Sequence, residues 1–139
     1  MEFSLFIFMA IVFWGLAPIF GKLGLKKLDP ILALTIRTFV IALIMLVICV
    51  MTGRVSDIGN VEIKDVMFIG AEGIFASILG HFAYYYALKL GDVSRVSPLI
   101  AAYPAVTVLA AFLVLGEKLT VNKVLGLAAV IFGIVLMRK

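Results

Sequence analysis

The sequence predicts an all-α integral membrane protein with five transmembrane helices, and three observations support this fold class. Of the 139 residues, 65% are hydrophobic and only 14% are charged, and the mean hydropathy is +1.26. Water-soluble domains average about 45–50% apolar and about 25% charged residues, so this chain has too few polar side chains to cover a soluble surface. The apolar residues also fall into stretches close to the ~20 residues that cross ~30 Å of hydrocarbon as a helix. Soluble enzymes, disordered tails and nucleic-acid-binding proteins are therefore excluded.

Five such stretches follow one another with short connections. The longest connection, 52–65, is polar and carries glycine and asparagine residues that are typical of turns. The first stretch has no basic residue before it and no small-residue cleavage site after it, so we expect a retained span rather than a signal peptide. The five predicted spans form one transmembrane domain, residues 1–139, and lie at Phe3–Gly21, Ile31–Met51, Val66–Leu88, Pro98–Leu115 and Val121–Met137.

Basic residues in the connections bear on orientation. An odd number of spans places the two termini on opposite sides of the membrane. The connections on the N-terminal side carry Arg54, Lys64, Lys118 and Lys123, and those on the opposite side carry Lys26, Lys27, Lys89, Arg95, Arg138 and Lys139. Because cytoplasmic loops are enriched in Lys and Arg, this balance favours an outside N-terminus and an inside C-terminus. The difference is small, so insertion in both orientations stays open.

Short motifs rich in small, aromatic and proline residues occur in a fixed order, at Phe13–Lys22, Leu28–Pro30, Ile36–Phe39, Tyr85–Leu88, Val96–Leu99, Tyr103–Pro104, Leu115–Thr120 and Gly126–Gly133. Together they resemble an EamA domain of the drug/metabolite transporter superfamily, over nearly the whole chain. The resemblance implies a multi-pass protein of the plasma or inner membrane that moves a small organic solute by alternating access. Usual members join two five-helix halves in inverted orientation, and this chain is similar to one such half of an inverted-repeat transporter.

A single half implies assembly. We expect an antiparallel homodimer in the lipid bilayer, or a heteromeric transporter with a paralogous half. The remaining alternative is a non-transporting membrane subunit that binds another protein through glycine-lined helices. No enzyme or cofactor site is predicted, because the chain has no nucleophile–base–orienter set and no phosphate-binding loop. One His and one Cys, Cys49, also exclude a cysteine-rich metal site and a disulfide framework.

The first span carries a predicted hinge. Pro18 cannot donate a hydrogen bond to the carbonyl of Trp14 and crowds it, so the helix should kink or loosen near Pro18 and Gly15. Trp14, Pro18 and Lys22 recur every four residues and share a face that we expect to border the pathway. The alternative is a packing kink with Lys22 reaching to the membrane interface.

Two ionisable residues lie within predicted spans. Insertion of Arg37 into the membrane costs ~2.5–3.5 kcal/mol, and the apolar residues of its span offset this cost. Arg37 therefore needs no partner, although a role in binding a substrate anion or in gating stays open. Glu72 lies in the third span, whose hydrophobic margin is close to zero. We therefore expect neighbouring helices to shield this span from lipid. Glu72 and Arg37 lie at different depths within one chain, but an antiparallel second copy would bring Arg37 or Lys22 level with Glu72.

The third span also holds His81, which is expected either on the pathway or bonded to a neighbouring helix. At 100° per residue His81 shares a face with Gly70, Ser77 and Tyr85, and Glu72 shares the opposite one with Ala76, Leu79, Ala83 and Tyr86. In the fourth span, Ser97 and Pro98 predict a helix start, and Pro104 predicts a mid-span hinge beside Tyr103. In the fifth span, Gly126, Ala129 and Gly133 predict a groove for helix packing or dimer contact.

Overall fold

The computed structural model describes residues 2–137, and every regular element within them is helical. A 3₁₀ turn, Ser56–Asn60, lies in the longest connection, and a π-helical segment, Ile74–Gly80, lies within the third apolar stretch. The α-helices are α1 (Glu2–Gly24), α2 (Pro30–Met51), α3 (Ile63–Gly73), α4 (His81–Leu90), α5 (Val93–Ile100), α6 (Tyr103–Leu115) and α7 (Val121–Leu136).

Four segments within the described residues are long and apolar enough to cross a membrane, namely Phe3–Gly24, Pro30–Met51, Ile63–Leu90 and Val93–Leu115. The fifth predicted span forms α7, an apolar helix of 16 residues. At 1.5 Å per residue α7 is about 24 Å long, which is less than the ~30 Å of a hydrocarbon core. The structure thus provides four span-length segments and one shorter apolar helix.

The first two spans form regular helices. α1 continues without interruption through Pro18, so the predicted loosening does not divide the helix there. α2 begins where the sequence provides both start signals. Asp29 accepts hydrogen bonds from the backbone N–H groups of Ile31 and Leu32 at 2.9 and 3.1 Å, and Pro30 occupies the first turn. These contacts satisfy N–H groups that would otherwise lack partners at a helix start.

The third span is 28 residues long and runs as α3, the π-helical segment and α4. Glycines flank the π-helical segment, because Gly73 precedes it and Gly80 ends it. A Cβ atom on Gly80 would lie 3.0 Å from the carbonyl oxygen of Phe75, five residues earlier. The residue at this position must therefore be small. π-Helical turns hold an extra residue each, so the face assignment at 100° per residue fails between Glu72 and His81.

The fourth span is divided into α5 and α6 at residues 101–102, and Pro104 lies in the first turn of α6. The predicted helix start at Ser97 and Pro98 is wrong, because α5 begins at Val93 and Pro98 lies inside it. The first turns of α5 contain polar residues, so a search for apolar stretches placed the start of this helix too late.

The chain divides into two compact units, one up to Leu90 and one from Gly91. In the first unit α4 packs against both α1 and α2. Leu88 on α4 is completely buried, and Leu34 on α2 and Leu25 after α1 are also buried. Most other large apolar side chains are exposed, as expected for a surface that faces lipid.

α3 differs from α4 in having no buried residue. The expectation that neighbouring helices shield the third span is therefore wrong for α3 within its unit. The reason is geometric: α1 and α2 both pack on α4, which leaves α3 uncovered.

In the second unit, a tight connection joins α6 to α7. Gly116 ends α6 in the left-handed conformation at φ 66°, which favours glycine. Thr120 then accepts a hydrogen bond from the backbone N–H of Lys123 at 3.3 Å and begins α7. An open cleft of about 450 Å³ lies between α6 and α7, and an ion pair of Lys123 with Glu117 at 3.1 Å is located at its loop end.

Candidate functional site

The contact between α1 and α4 contains Leu88, the completely buried side chain of the first unit. Pro18 is buried on α1, and one turn later Gly21 faces α4. A Cβ atom on Gly21 would lie 3.6 Å from Leu88 Cδ1 and 3.8 Å from Tyr85 Cε1, which is ordinary van der Waals contact. The absence of a side chain at Gly21 therefore allows the two helices to approach closely, with Tyr85 and Leu88 against the backbone of α1.

Two lysines connect the helix ends beside this contact. Lys22 Nζ donates a hydrogen bond to the carbonyl oxygen of Leu88 at 2.5 Å, and Lys89 Nζ donates one to the carbonyl oxygen of Leu28 at 3.0 Å. The last turn of α1, the last turn of α4 and the start of α2 consequently lie at the same end of the first unit. α1 and α4 therefore run parallel, and α2 runs antiparallel to both, as expected for consecutive membrane spans.

His81 is located where the π-helical segment meets α4. Its Nδ1 donates to the carbonyl oxygen of Ala76 at 2.8 Å, and this carbonyl also accepts the backbone N–H of His81. The prediction of a bond to a neighbouring helix is thus wrong, because the partner belongs to the same span. The ring also makes edge contacts with Tyr84 and Tyr85 at centroid distances of 6.3 and 6.2 Å. Ser77 is half-buried within the π-helical segment.

The other predicted polar residues of this unit are less closely packed. Trp14 is 70% exposed, although Pro18 on the same predicted face is buried. Arg37 is half-buried on α2 and Glu72 is exposed on α3. Within residues 2–137, neither Arg37 nor Glu72 has an oppositely charged group within 4 Å. The two residues therefore do not form an ion pair with each other within one chain.

In the second unit, Tyr103 is 55% exposed at the start of α6. Gly126 lines the cleft between α6 and α7 together with Pro104, and a Cβ atom added to it would meet no atom within 4 Å. Ala129 is exposed and Gly133 is half-buried. The predicted small-residue groove is thus open at Gly126.

Sequence reasoning did not identify Gly21, Gly80, Leu88 and Lys89 as individual site residues. The position of Gly21 three residues after a proline, and of Gly80 directly before a histidine, was a usable signal for these two residues. The roles of Leu88 and Lys89 arise only from packing between helices. The described residues contain no group of three or more His, Cys, Asp or Glu side chains that could hold a metal ion.

The chain is similar to proteins of two lengths. An uncharacterized transporter from a Sinorhizobium species is 31% identical over 93% of this chain and 91% of its own length. An uncharacterized protein from Methanocaldococcus jannaschii is 30% identical over 91% of this chain and 88% of its own length. An uncharacterized transporter from Archaeoglobus fulgidus is 34% identical over 86% of this chain, which spans only 43% of that relative. No solved structure matches the chain.

The family match covers residues 3–139, which include all four span-length segments and α7. This coverage supports a multi-pass membrane protein and a transporter rather than an enzyme. The chain belongs to the EamA-like transporter family.

Proposed function

We propose that this chain is one half of an inverted-repeat transporter for a small organic solute and acts in the plasma or inner membrane as an antiparallel homodimer. Both units belong to one transmembrane domain, and α7 is its fifth span. A helix of about 24 Å can cross a bilayer if the bilayer thins locally or the flanking residues extend to the interface. Lys123 at the start of α7 is suited to this role.

The lengths of the relatives support the half-transporter. Two relatives match the chain over about nine tenths of their own length, and another is matched over 43% of its length. The chain thus corresponds to less than half of a longer transporter, and we propose that a second copy, or a paralogous half, completes the pathway.

The exposure of α3 is the observation that carries the proposal. None of its residues is buried, and it bears Glu72 within a span of the membrane. A carboxylate at such a depth is costly unless it pairs or lines a water-filled cavity. α1 and α2 pack on α4 and leave α3 uncovered within the first unit, and we propose that a second chain covers this helix.

An antiparallel copy provides a suitable partner for Glu72. Glu72 follows the start of α3 by nine residues, or about 13–14 Å, and Arg37 follows the start of α2 by seven residues, or about 10–11 Å. Since α2 starts at the opposite side of the membrane, inversion of the second copy brings its Arg37 to within about 3 Å of the depth of Glu72. Lys22 is the weaker candidate, because it bonds to Leu88 in its own chain.

Alternating access then requires segments that can change shape. We assign this to the π-helical segment and to the break before Pro104, where regular helical bonding is interrupted. Gly15 and Pro18 form a further bending point. Polar and aromatic side chains near these positions would line the pathway, namely Trp14, Lys22, Arg37, Glu72, Ser77, His81, Tyr85 and Tyr103. The small residues Gly126, Ala129 and Gly133 would provide helix contacts between copies.

Proteoliposomes that contain only the purified chain test transport and self-sufficiency together. We expect saturable uptake of a solute from a mixed pool of small organic compounds, and none in liposomes without protein. Flux that appears only when a second family member is added would replace the homodimer by a heteromer. Absence of flux under both conditions would contradict transport.

Charge exchange tests the pairing of Glu72 with Arg37. Glu72→Arg and Arg37→Glu should each weaken dimer formation and flux, and the double variant should recover both. Asp57→Arg, at an exposed loop acid outside the spans, is the matched control. If the double variant is as defective as the single variants, the proposed pair does not exist.

A further inference from the structure

A pocket lined by three lysines lies at one end of the first unit, apart from the segments assigned to the transport movement. Its lining consists of Lys22, Leu25, Lys26 and Lys89, and its volume is about 250 Å³. We call it the lysine pocket. Leu25 is only 3% exposed, so the pocket combines an apolar wall with three ammonium-bearing side chains.

Backbone geometry places these lysines together. The chain continues its helical path beyond α1. The N–H of Leu25 bonds to the carbonyl oxygen of Gly21 at 2.9 Å, and the N–H of Lys26 contacts the carbonyl oxygen of Leu23 at 3.4 Å. Lys22 and Lys26 are consequently one turn apart on the same face. Lys22 bonds to the carbonyl of Leu88, the residue before Lys89, and this bond brings Lys89 close to Lys22 and Lys26.

Two of the three lysines, Lys26 and Lys89, have no ion-pair partner among the described residues, since neither has a carboxylate within 4 Å there. Asp29, three residues after Lys26, is already engaged by the first turn of α2. An ammonium group has three donors, of which Lys89 uses one on Leu28. The pocket therefore offers several N–H donors and net positive charge to an anion with several acceptor oxygens, such as a phosphate.

The surroundings distinguish a lipid phosphate from a free one. The pocket is located where α1 and α4 end and α2 begins, at the boundary of three span-length segments. Leu23 and Ile19 precede Lys26 by three and seven residues, about one and two turns back along the same side of the helix, and both are exposed. Apolar side chains thus continue from the pocket towards the centre of the membrane, where the acyl chains of a bound lipid would lie.

We propose that the lysine pocket binds the phosphate of an anionic phospholipid head group, with the acyl chains along Ile19 and Leu23. Capping of helix ends by lysine explains Lys22 and Lys89, which each donate to a carbonyl near a helix end. Capping does not explain Lys26, which makes no side-chain hydrogen bond among the described residues but lines the same pocket. Basic pockets between helices at the membrane boundary suit such head groups.

Lipid binding can be measured on the purified full chain in an uncharged detergent by native mass spectrometry, with phosphatidylglycerol or phosphatidylcholine added. We expect phosphatidylglycerol to bind more tightly. Lys26→Gln should weaken its binding about fivefold and Lys26→Gln/Lys89→Gln about 30-fold, with little effect on phosphatidylcholine. Lys26→Arg/Lys89→Arg should retain binding. Lys64→Gln/Lys118→Gln is the matched control, because it removes the same charge outside the pocket.

Three outcomes would overturn the proposal. The first is equal weakening by the pocket and control pairs, which would indicate diffuse surface charge. The second is equal affinity for the two lipids. The third is displacement of phosphatidylglycerol by inorganic phosphate at the same concentration, which would identify a free anion as the ligand. Lys26→Gln keeps the test valid if the double variant unfolds, because Lys26 has no described side-chain contact to lose. The measurement requires no flux, so its result is independent of the proposed transport.

Discussion

Replacement of Leu88 by alanine should destabilise the first unit, because Leu88 is the completely buried side chain at the contact between α1 and α4. In soluble proteins, Leu→Ala substitutions at buried positions cost about 2.7–5.0 kcal/mol. About 2.4 kcal/mol of that range is transfer of three carbons from water, at about 0.8 kcal/mol each. This part is largely absent between helices in lipid, where packing dominates. The remainder predicts a loss of about 0.3–2.6 kcal/mol for Leu88→Ala.

Unfolding of the purified chain by SDS in mixed micelles would measure this loss, with fluorescence of the single tryptophan, Trp14, as the signal. Leu90→Ala is the matched control on the same helix, because Leu90 is 87% exposed and its truncation should change the free energy of unfolding by less than about 0.5 kcal/mol. Protein concentration must be equal, since any association adds to the apparent stability. Equal destabilisation by the two variants would refute the assignment of Leu88 as the packing centre.

Two further substitutions test the local structure of the spans. Gly80→Ala should destabilise the chain, since a Cβ atom there lies 3.0 Å from a backbone carbonyl. Gly70→Ala, in open space, should be neutral or stabilising by up to about 1 kcal/mol, and thermal unfolding that ranks the two variants in the opposite order would contradict the packing at Gly80. Asp29→Ala should cost about 1 kcal/mol through loss of its two hydrogen bonds to the first turn of α2. Asp92→Ala should cost less in the same assay, because the side chain of Asp92 makes no capping bond to α5, and equal losses would argue against capping by Asp29.

The sequence predicts the positions of the helices well, because membrane-spanning segments must be both apolar and long. Pro30 and Asp29 indicated the start of α2, and Pro104 lies at the division of the fourth span. The start of α5 could not be found in this way, since its first turns are polar. The 28-residue length of the third span was underestimated for the same reason at its polar beginning.

Contacts between helices were harder to predict than the helices. A projection at 100° per residue assumes regular α-helix, so it could not reveal the π-helical segment or the bond of His81 to Ala76. The connection of Lys22 to Leu88 depends on the approach of α1 to α4 at Gly21. Hydropathy correctly identified the third span as weakly apolar. It could not indicate that α1 and α2 would pack on α4 rather than on α3.

The π-helical segment separates the third span into two parts that are held differently. Lys22 and Lys89 anchor α4 at one end, whereas no buried side chain fixes α3 at the other. Conversion of a single π turn to regular α-helix would shift the register by one residue and rotate α3 by about 100° about its axis. Such a rotation would carry Glu72 to a different side of the helix while α4 stayed in place. The third span therefore joins α4, which is fixed at one end, to α3, which can rotate about its axis. Glu72, the only carboxylate in the membrane interior of this span, lies on α3.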